Sequence, residues 1–158
     1  MFCENESLGH NPYTVIYSDP GQNWSEKKLL IVEDDEAGFQ YFESLLRKTG
    51  IEIVWIRNGV DFINYIEREE YPADAILMDI LIPLKNGIDA TRAVKKRFPQ
   101  IPVIITTAYA SKEVREKSFL AGCDAYLTKP ILPHTLLKVL SEYLGHPEAV
   151  RQSRSSSR

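Results

Sequence analysis

The chain has 158 residues, of which 44% are hydrophobic and 26% charged, with a net charge of −3. These proportions describe a soluble globular domain with tails, large enough to bury a core without a metal or disulfide holding it together. They argue against nucleic-acid binding by broad phosphate neutralisation, and no apolar run approaches the roughly 18 residues that span a bilayer.

Residues 1–26 read as an irregular segment or linker, broken by Asn11-Pro12, Asp19-Pro20 and Gly21. Thr14-Val15-Ile16-Tyr17 has strand composition, but nothing beside it supports a strand. The first apolar run, Leu29–Val32, leads into a predicted helix with Phe39, Phe42, Leu45 and Leu46 on one face and Gly50 placed to stop it. The run Ile53–Ile56 follows, then Asn58 as a helix N-cap with Phe62, Ile63 and Ile66 as the stripe. After Ala75–Met78 comes a helix with Ile88, Thr91, Val94 and Phe98 at helical spacing, and then the run Val103–Thr107. The fourth helix, Lys112–Ala121, offers only Val114, Ser118 and Ala121 inward, so weak anchoring is expected. Its Phe119-Leu120 pair reads equally as half-buried packing or as a docking surface. The last run, Ala125–Thr128, precedes a helix carrying Leu136, Val139, Leu140 and Tyr143; Pro133 suits its first turn, where Leu132 replaces a polar cap.

The five apolar runs are β-rich and nearly continuous, as in strands covered on both faces. Alternation with helices predicts an α/β domain over residues 27–146, with a parallel sheet and right-handed crossovers. The Arg/Ser stretch 147–158 reads as a disordered tail. Cys3 and Cys123 are far apart and lack ligand spacing, which fits a reducing, cytoplasmic setting. The start of the chain lacks the charged-then-apolar pattern of a secretory signal. His10, His134 and His146 have no partner at ligand spacing and read as surface or cap residues.

Ligands of such sheets sit at the carboxyl ends of the strands. Those ends present Glu33-Asp34-Asp35, Asp79, Thr107 and Lys129-Pro130. Carboxylates brought together repel unless a cation lies between them. Hard oxygen donors that leave room for water suit Mg²⁺.

At this point a resemblance is specific. Leu30-Ile31-Val32-Glu33-Asp34-Asp35, Leu77-Met78-Asp79-Ile80 with Pro83 and Asn86-Gly87, Thr106-Thr107-Ala108, and Tyr126-Leu127-Thr128-Lys129-Pro130 together resemble the signatures of response-regulator receiver domains. The resemblance covers about residues 29–144. It implies a flavodoxin-like (βα)₅ fold, doubly wound, with strand order 2-1-3-4-5. It also implies that Asp79 is a phosphoacceptor and that Asp34, Asp79 and the Leu81 backbone carbonyl bind Mg²⁺, with Glu33 acting through metal-bound water. Lys129 would pair with the phosphoryl oxygens, Thr107 would hydrogen-bond the phosphoryl group, and Tyr126 would be the aromatic switch. The Lys129–Pro130 peptide is expected to be cis. Leu81 and Tyr109 flank the path of attacking water, and neither side chain is suited to orient it, so slow dephosphorylation is expected. Lys85 departs from the family's usual apolar residue in that loop.

The implied donor is a histidine kinase or a histidine phosphotransfer protein, with no direct nucleic-acid contact and no membrane segment. A dimer through the fourth helix, fifth strand and fifth helix is a further expectation. Asp89-Ala90-Thr91-Arg92 and Gly122-Cys123-Asp124-Ala125-Tyr126 resemble receivers attached to hybrid kinases, although a stand-alone regulator fits too. Three rivals fare worse. A haloacid-dehalogenase-type phosphatase needs a second Asp where Leu81 stands. An FMN binder would place phosphate against Glu33-Asp34-Asp35. A pseudo-receiver scaffold would not need every active-site residue type.

Overall fold

A computed structural model describes residues 22–145. The expectations for residues 1–21 and 146–158, including Cys3, His10, His146 and the Thr14–Tyr17 stretch, lie outside the described residues. The strands are β1 (Lys28–Val32), β2 (Glu52–Ile56), β3 (Ala75–Asp79), β4 (Val103–Thr107) and β5 (Ala125–Thr128). The helices are α1 (Glu36–Leu46), α2 (Gly59–Arg68), α3 (Gly87–Arg97), α4 (Lys112–Leu120) and α5 (Pro133–Leu144). All strand pairs are parallel, in the order β2-β1-β3-β4-β5. The flavodoxin-like α/β expectation holds.

The side-chain alternation of each strand divides the core into two layers. Leu30, Val32, Ile76, Met78 and Ile105 face one layer with Phe62, Ile66, Ala90 and Val94 of α2 and α3. Leu29, Ile31, Leu77 and Ile104 face the other with Phe42, Leu46, Leu136 and Leu140 of α1 and α5. β3 and β4 are buried throughout, but β2 and β5 are only half-buried. Their flanking positions explain the difference: an edge strand lacks one lateral neighbour, so an apolar run there keeps some exposure.

Caps define the helix starts. Asp35, Asn58, Asn86 and Ser111 each accept a backbone N–H of the first turn with their side chains. α5 starts from Leu132 without a side-chain cap and has Pro133 in its first turn. α1 stops before Gly50: a 3₁₀ turn at Arg47–Thr49 intervenes, and Gly50 then takes the left-handed conformation at φ 73°. α4 buries only Ser118 among its residues, whereas Leu120 is 86% exposed. It is the thinly anchored helix expected.

Trp24 lies within the stretch that reads as irregular, yet it is buried in the α1/α5 layer. Its amide donates to the Thr49 carbonyl at 2.7 Å and its indole N–H to the Gly145 carbonyl at 3.1 Å. Gln22 adds a hydrogen bond to Ser141 Oγ at 2.5 Å. This strap joins the chain before β1 to the end of α5, beneath the sheet edge opposite the acids.

Candidate functional site

β1 delivers Glu33 to the carboxyl edge of the sheet. The Glu33 amide donates to the Ile56 carbonyl at 3.0 Å, so the backbone stays on the sheet one residue past the strand. Its side chain is buried (residue exposure 1%), and Gly38 makes room for it: a Cβ there would stand 3.0 Å from Glu33 Oε2. Asp35 caps α1 through Gly38 N–H at 2.8 Å, and its own amide donates to Glu33 Oε1 at 3.2 Å. Asp34, between them, is exposed.

Asp79 is the last residue of β3 and is 7% exposed. The Leu81 amide donates to its Oδ1 at 3.0 Å. The chain then turns so tightly that Gly87 N–H reaches the Ile80 carbonyl at 2.9 Å. A Cβ on Gly87 would lie 2.0 Å from the Asp79 carbonyl oxygen, so only glycine fits.

Lys129 arrives just after β5, its amide anchored on the Thr107 carbonyl at 2.7 Å and its peptide with Pro130 cis. Its ammonium sits 2.6 Å from Glu33 Oε2 and 2.8 Å from Asp79 Oδ2. Carboxylate oxygens of Glu33, Asp34 and Asp79 come within 4.8 Å of one another. Three segments far apart in sequence thus meet at one point.

The charges respond to this crowding. Burial pushes the Glu33 carboxyl above its ordinary value; the Lys129 hydrogen bond and charge pull it down without cancelling the rise, and the Asp79 charge adds to it. Burial alone would lower the Lys129 ammonium, but the hydrogen bonds it donates to Asp79 and Glu33, with their charges, outweigh it and raise the group. A single ammonium shared by this acidic cluster leaves unbalanced negative charge. Three hard carboxylate donors so placed fit a divalent cation with oxygen preference.

A second chain of contacts begins at the end of β4, the strand beside β3. Thr107 is fully buried, and its Oγ1 accepts the Tyr109 amide at 3.2 Å. The Tyr126 hydroxyl donates to the Tyr109 carbonyl at 2.6 Å. The Tyr126 ring is 9% exposed and packs near Phe119, with centroids 6.5 Å apart, while the Arg115 guanidinium lies 5.5 Å from its centroid. Leu81 and Tyr109 are half-exposed and line a cleft of about 550 Å³ with Asn86, Ile88, Val114 and Lys117. A second groove, of about 350 Å³, runs beside Lys129 between Tyr41 and Phe42 of α1 and Pro130 and Leu132.

The structure therefore brings Glu33, Asp34, Asp79 and Lys129 together and links Thr107, Tyr109 and Tyr126 in series. Leu81 contacts Asp79 through its amide. Sequence reasoning passed over Trp55, whose indole N–H donates to the Glu33 carbonyl at 2.7 Å. An indole inside an apolar run reads as core, so no local signal set it apart.

A (βα)₅ sheet with an acid cluster and a lysine at its carboxyl edge defines a receiver-type α/β domain, and residues 29–141 place this chain in the response regulator receiver domain family. It is 36% identical over 121 residues to the polar-differentiation response regulator DivK of Brucella ovis, covering 75% of this chain and 97% of the relative. Among solved structures it is similar to the receiver domain of a sensor histidine kinase from Pseudomonas aeruginosa PAO1, which carries magnesium in its active-site cleft. The TM-score there is 0.68 at 31% identity, covering 75% of this chain and 97% of that one. A CheY-like receiver domain protein from Methanospirillum hungatei JF-1 matches with a TM-score of 0.69 at 33% identity, covering 75% and 93%.

Proposed function

We propose that Asp79 accepts a phosphoryl group from a phosphohistidine of a histidine kinase or histidine phosphotransfer protein, and that its state is read on the α4–β5–α5 face. The observation that carries this reading is Lys129 bridging Asp79 and Glu33 beside a three-carboxylate cluster. The P–N bond of the donor breaks as a P–O bond forms to the Asp79 carboxylate. Charge on the transferring group is spread over its equatorial oxygens, so positioning and electrostatics carry the catalysis. Lys129 supplies a fixed positive charge at that point, and the Leu81 amide orients Asp79 through Oδ1. Asp34, Asp79 and the Leu81 carbonyl would hold Mg²⁺, with Glu33 acting mainly through its water. The ion would neutralise phosphoryl oxygens and offset the acid cluster.

Readout follows the contact series. A phosphoryl group on Asp79 draws the Thr107 hydroxyl toward it. The Tyr109 amide then loses its acceptor, and the Tyr109 carbonyl, which holds the Tyr126 hydroxyl, is free to shift. α4 borders Tyr126 and is thinly anchored, so it yields first. The protein modifies only itself in this reading and is a switch rather than an enzyme on other substrates. A partner, or a second copy, docking on this face in the cytoplasm completes the signal. The same chemistry serves a stand-alone regulator and a receiver attached to a hybrid kinase.

Intact-mass measurement after incubation with Mg²⁺ and acetyl phosphate tests the reading. One phosphoryl adduct is expected, absent in Asp79→Ala. It should outlast a timescale of seconds, because Leu81 and Tyr109 offer no group that orients attacking water. An adduct that survives Asp79→Ala overturns the assignment.

A further inference from the structure

The acids of the site are held unequally. Glu33 is tied by its amide to Ile56 and by its carboxylate to Lys129, and Asp35 is tied by its capping bond to Gly38. Asp34 is exposed, and the direction in which its side chain leaves the backbone is set by the peptides on either side of it. The carbonyl of Glu33 belongs to the planar peptide unit that joins it to Asp34. That carbonyl accepts the Trp55 indole N–H at 2.7 Å, across from β2. The indole is itself clamped. Phe39 of α1 stacks on it with centroids 4.0 Å apart and planes 2° from parallel, and the Arg57 guanidinium lies over it at 4.1 Å. Arg57 reaches Glu36 in the first turn of α1 at 3.6 Å. A rigid aromatic donor, fixed by the helix that follows Asp34 and by the strand beside Glu33, thus sets the orientation of one specific peptide.

We propose that Trp55 is a positioning residue for cation binding: through the Glu33 carbonyl it fixes the Glu33–Asp34 peptide so that the Asp34 carboxylate faces Asp79. This rests on the reading of Glu33, Asp34 and Asp79 as a divalent-cation site. A partner that orients a metal ligand through a hydrogen bond typically governs affinity by about 10-fold or more. One neutral hydrogen bond alone accounts for somewhat less. Phenylalanine at position 55 keeps the stack and removes only the donor.

The test is Trp55→Phe, with Mg²⁺ titrated calorimetrically into the unphosphorylated chain. Mg²⁺ affinity should fall by about 5- to 10-fold. The Mg²⁺ concentration for half-maximal phosphorylation by acetyl phosphate should rise by the same factor, with the rate at saturating Mg²⁺ unchanged. Phe39→Leu, which loosens the stack but keeps the donor, should lower the melting temperature with a smaller loss of affinity. A measurement on the unaltered protein stands apart from any folding defect of the variants. Its two tryptophans give two indole N–H resonances, and Mg²⁺ should shift that of Trp55 while that of Trp24, at the opposite edge, stays. Wild-type affinity in Trp55→Phe, or an unmoved Trp55 resonance at saturating Mg²⁺, overturns the proposal. Failure of the unaltered chain to bind Mg²⁺ removes the cation-site reading itself, and the proposal with it.

Discussion

Cys123 shows how strongly single positions respond to this fold. Burial pushes its thiol up to about 11, the Asp124 charge beside it adds to the rise, and Lys95 and Arg115 oppose it. In the unfolded chain the thiol ionises near 9.0. Below that value it is protonated in both states and contributes no pH dependence. Between 9.0 and about 11 only the unfolded chain releases the proton, so the unfolded state is favoured and stability falls as pH rises. Urea unfolding of the protein and of Cys123→Ala across this window should show that increment in the first and not in the second. Equal pH dependence in both would refute it. The same protonation keeps the thiol slow toward alkylation near neutral pH. At this scale the sequence was informative for groups whose role depends on lying at a strand end, such as Asp79 and Lys129. It was silent on Trp55 and on the Tyr126–Tyr109 bond, because each depends on a backbone carbonyl whose direction no residue type reveals.

Elements differ in how they are anchored. α1 and α5 share a layer closed from below by Trp24, which lies outside the residues that match the family. Trp24 is 2% exposed, and its indole N–H is satisfied by Gly145. Trp24→Ala removes a buried aromatic and leaves a cavity, which should cost about 3–5 kcal/mol. A urea midpoint lowered accordingly, with unchanged slope, is the expected result; a loss under about 1 kcal/mol would show that the strap contributes only surface cover. The strap escaped the sequence reading because it has neither a 2-residue nor a 3.6-residue period, and Asp19-Pro20-Gly21 just before it signals irregular chain. α4 lies at the other extreme. Its inward face of Val114, Ser118 and Ala121 was legible, and so was its weak hold. The fate of Phe119 was not. At 43% exposed it is neither core nor free surface, since its ring leans toward Tyr126 while its other side faces solvent.

For the whole molecule, the site is a meeting of chain segments, so whatever binds there stabilises the meeting. A cation that binds only the folded chain adds stability by mass action, about 2.7 kcal/mol at a concentration of 100 times its Kd. Mg²⁺ should therefore raise the melting temperature of the wild-type protein. Asp34→Asn should lose most of that increment while matching or exceeding the wild type without Mg²⁺, since it relieves repulsion among crowded carboxylates. Thermal unfolding with and without Mg²⁺ measures both effects. An undiminished increment in Asp34→Asn would place the cation elsewhere.

Local chemistry alone determined the number and order of elements, the cap at Asn58, the two-sided burial of β3 and β4, and which residues end each strand. Periodicity and capping act within a few residues, so they are written in the chain where they operate. The tertiary structure decided distances and partners. Lys129 reaches Glu33 across 96 positions and Asp79 across 50, and both contacts exist only because the crossovers set β1, β3, β4 and β5 side by side with their ends aligned. The same alignment turned Trp55 from one more apolar residue of β2 into the donor that holds Glu33, a role its sequence neighbours could not specify.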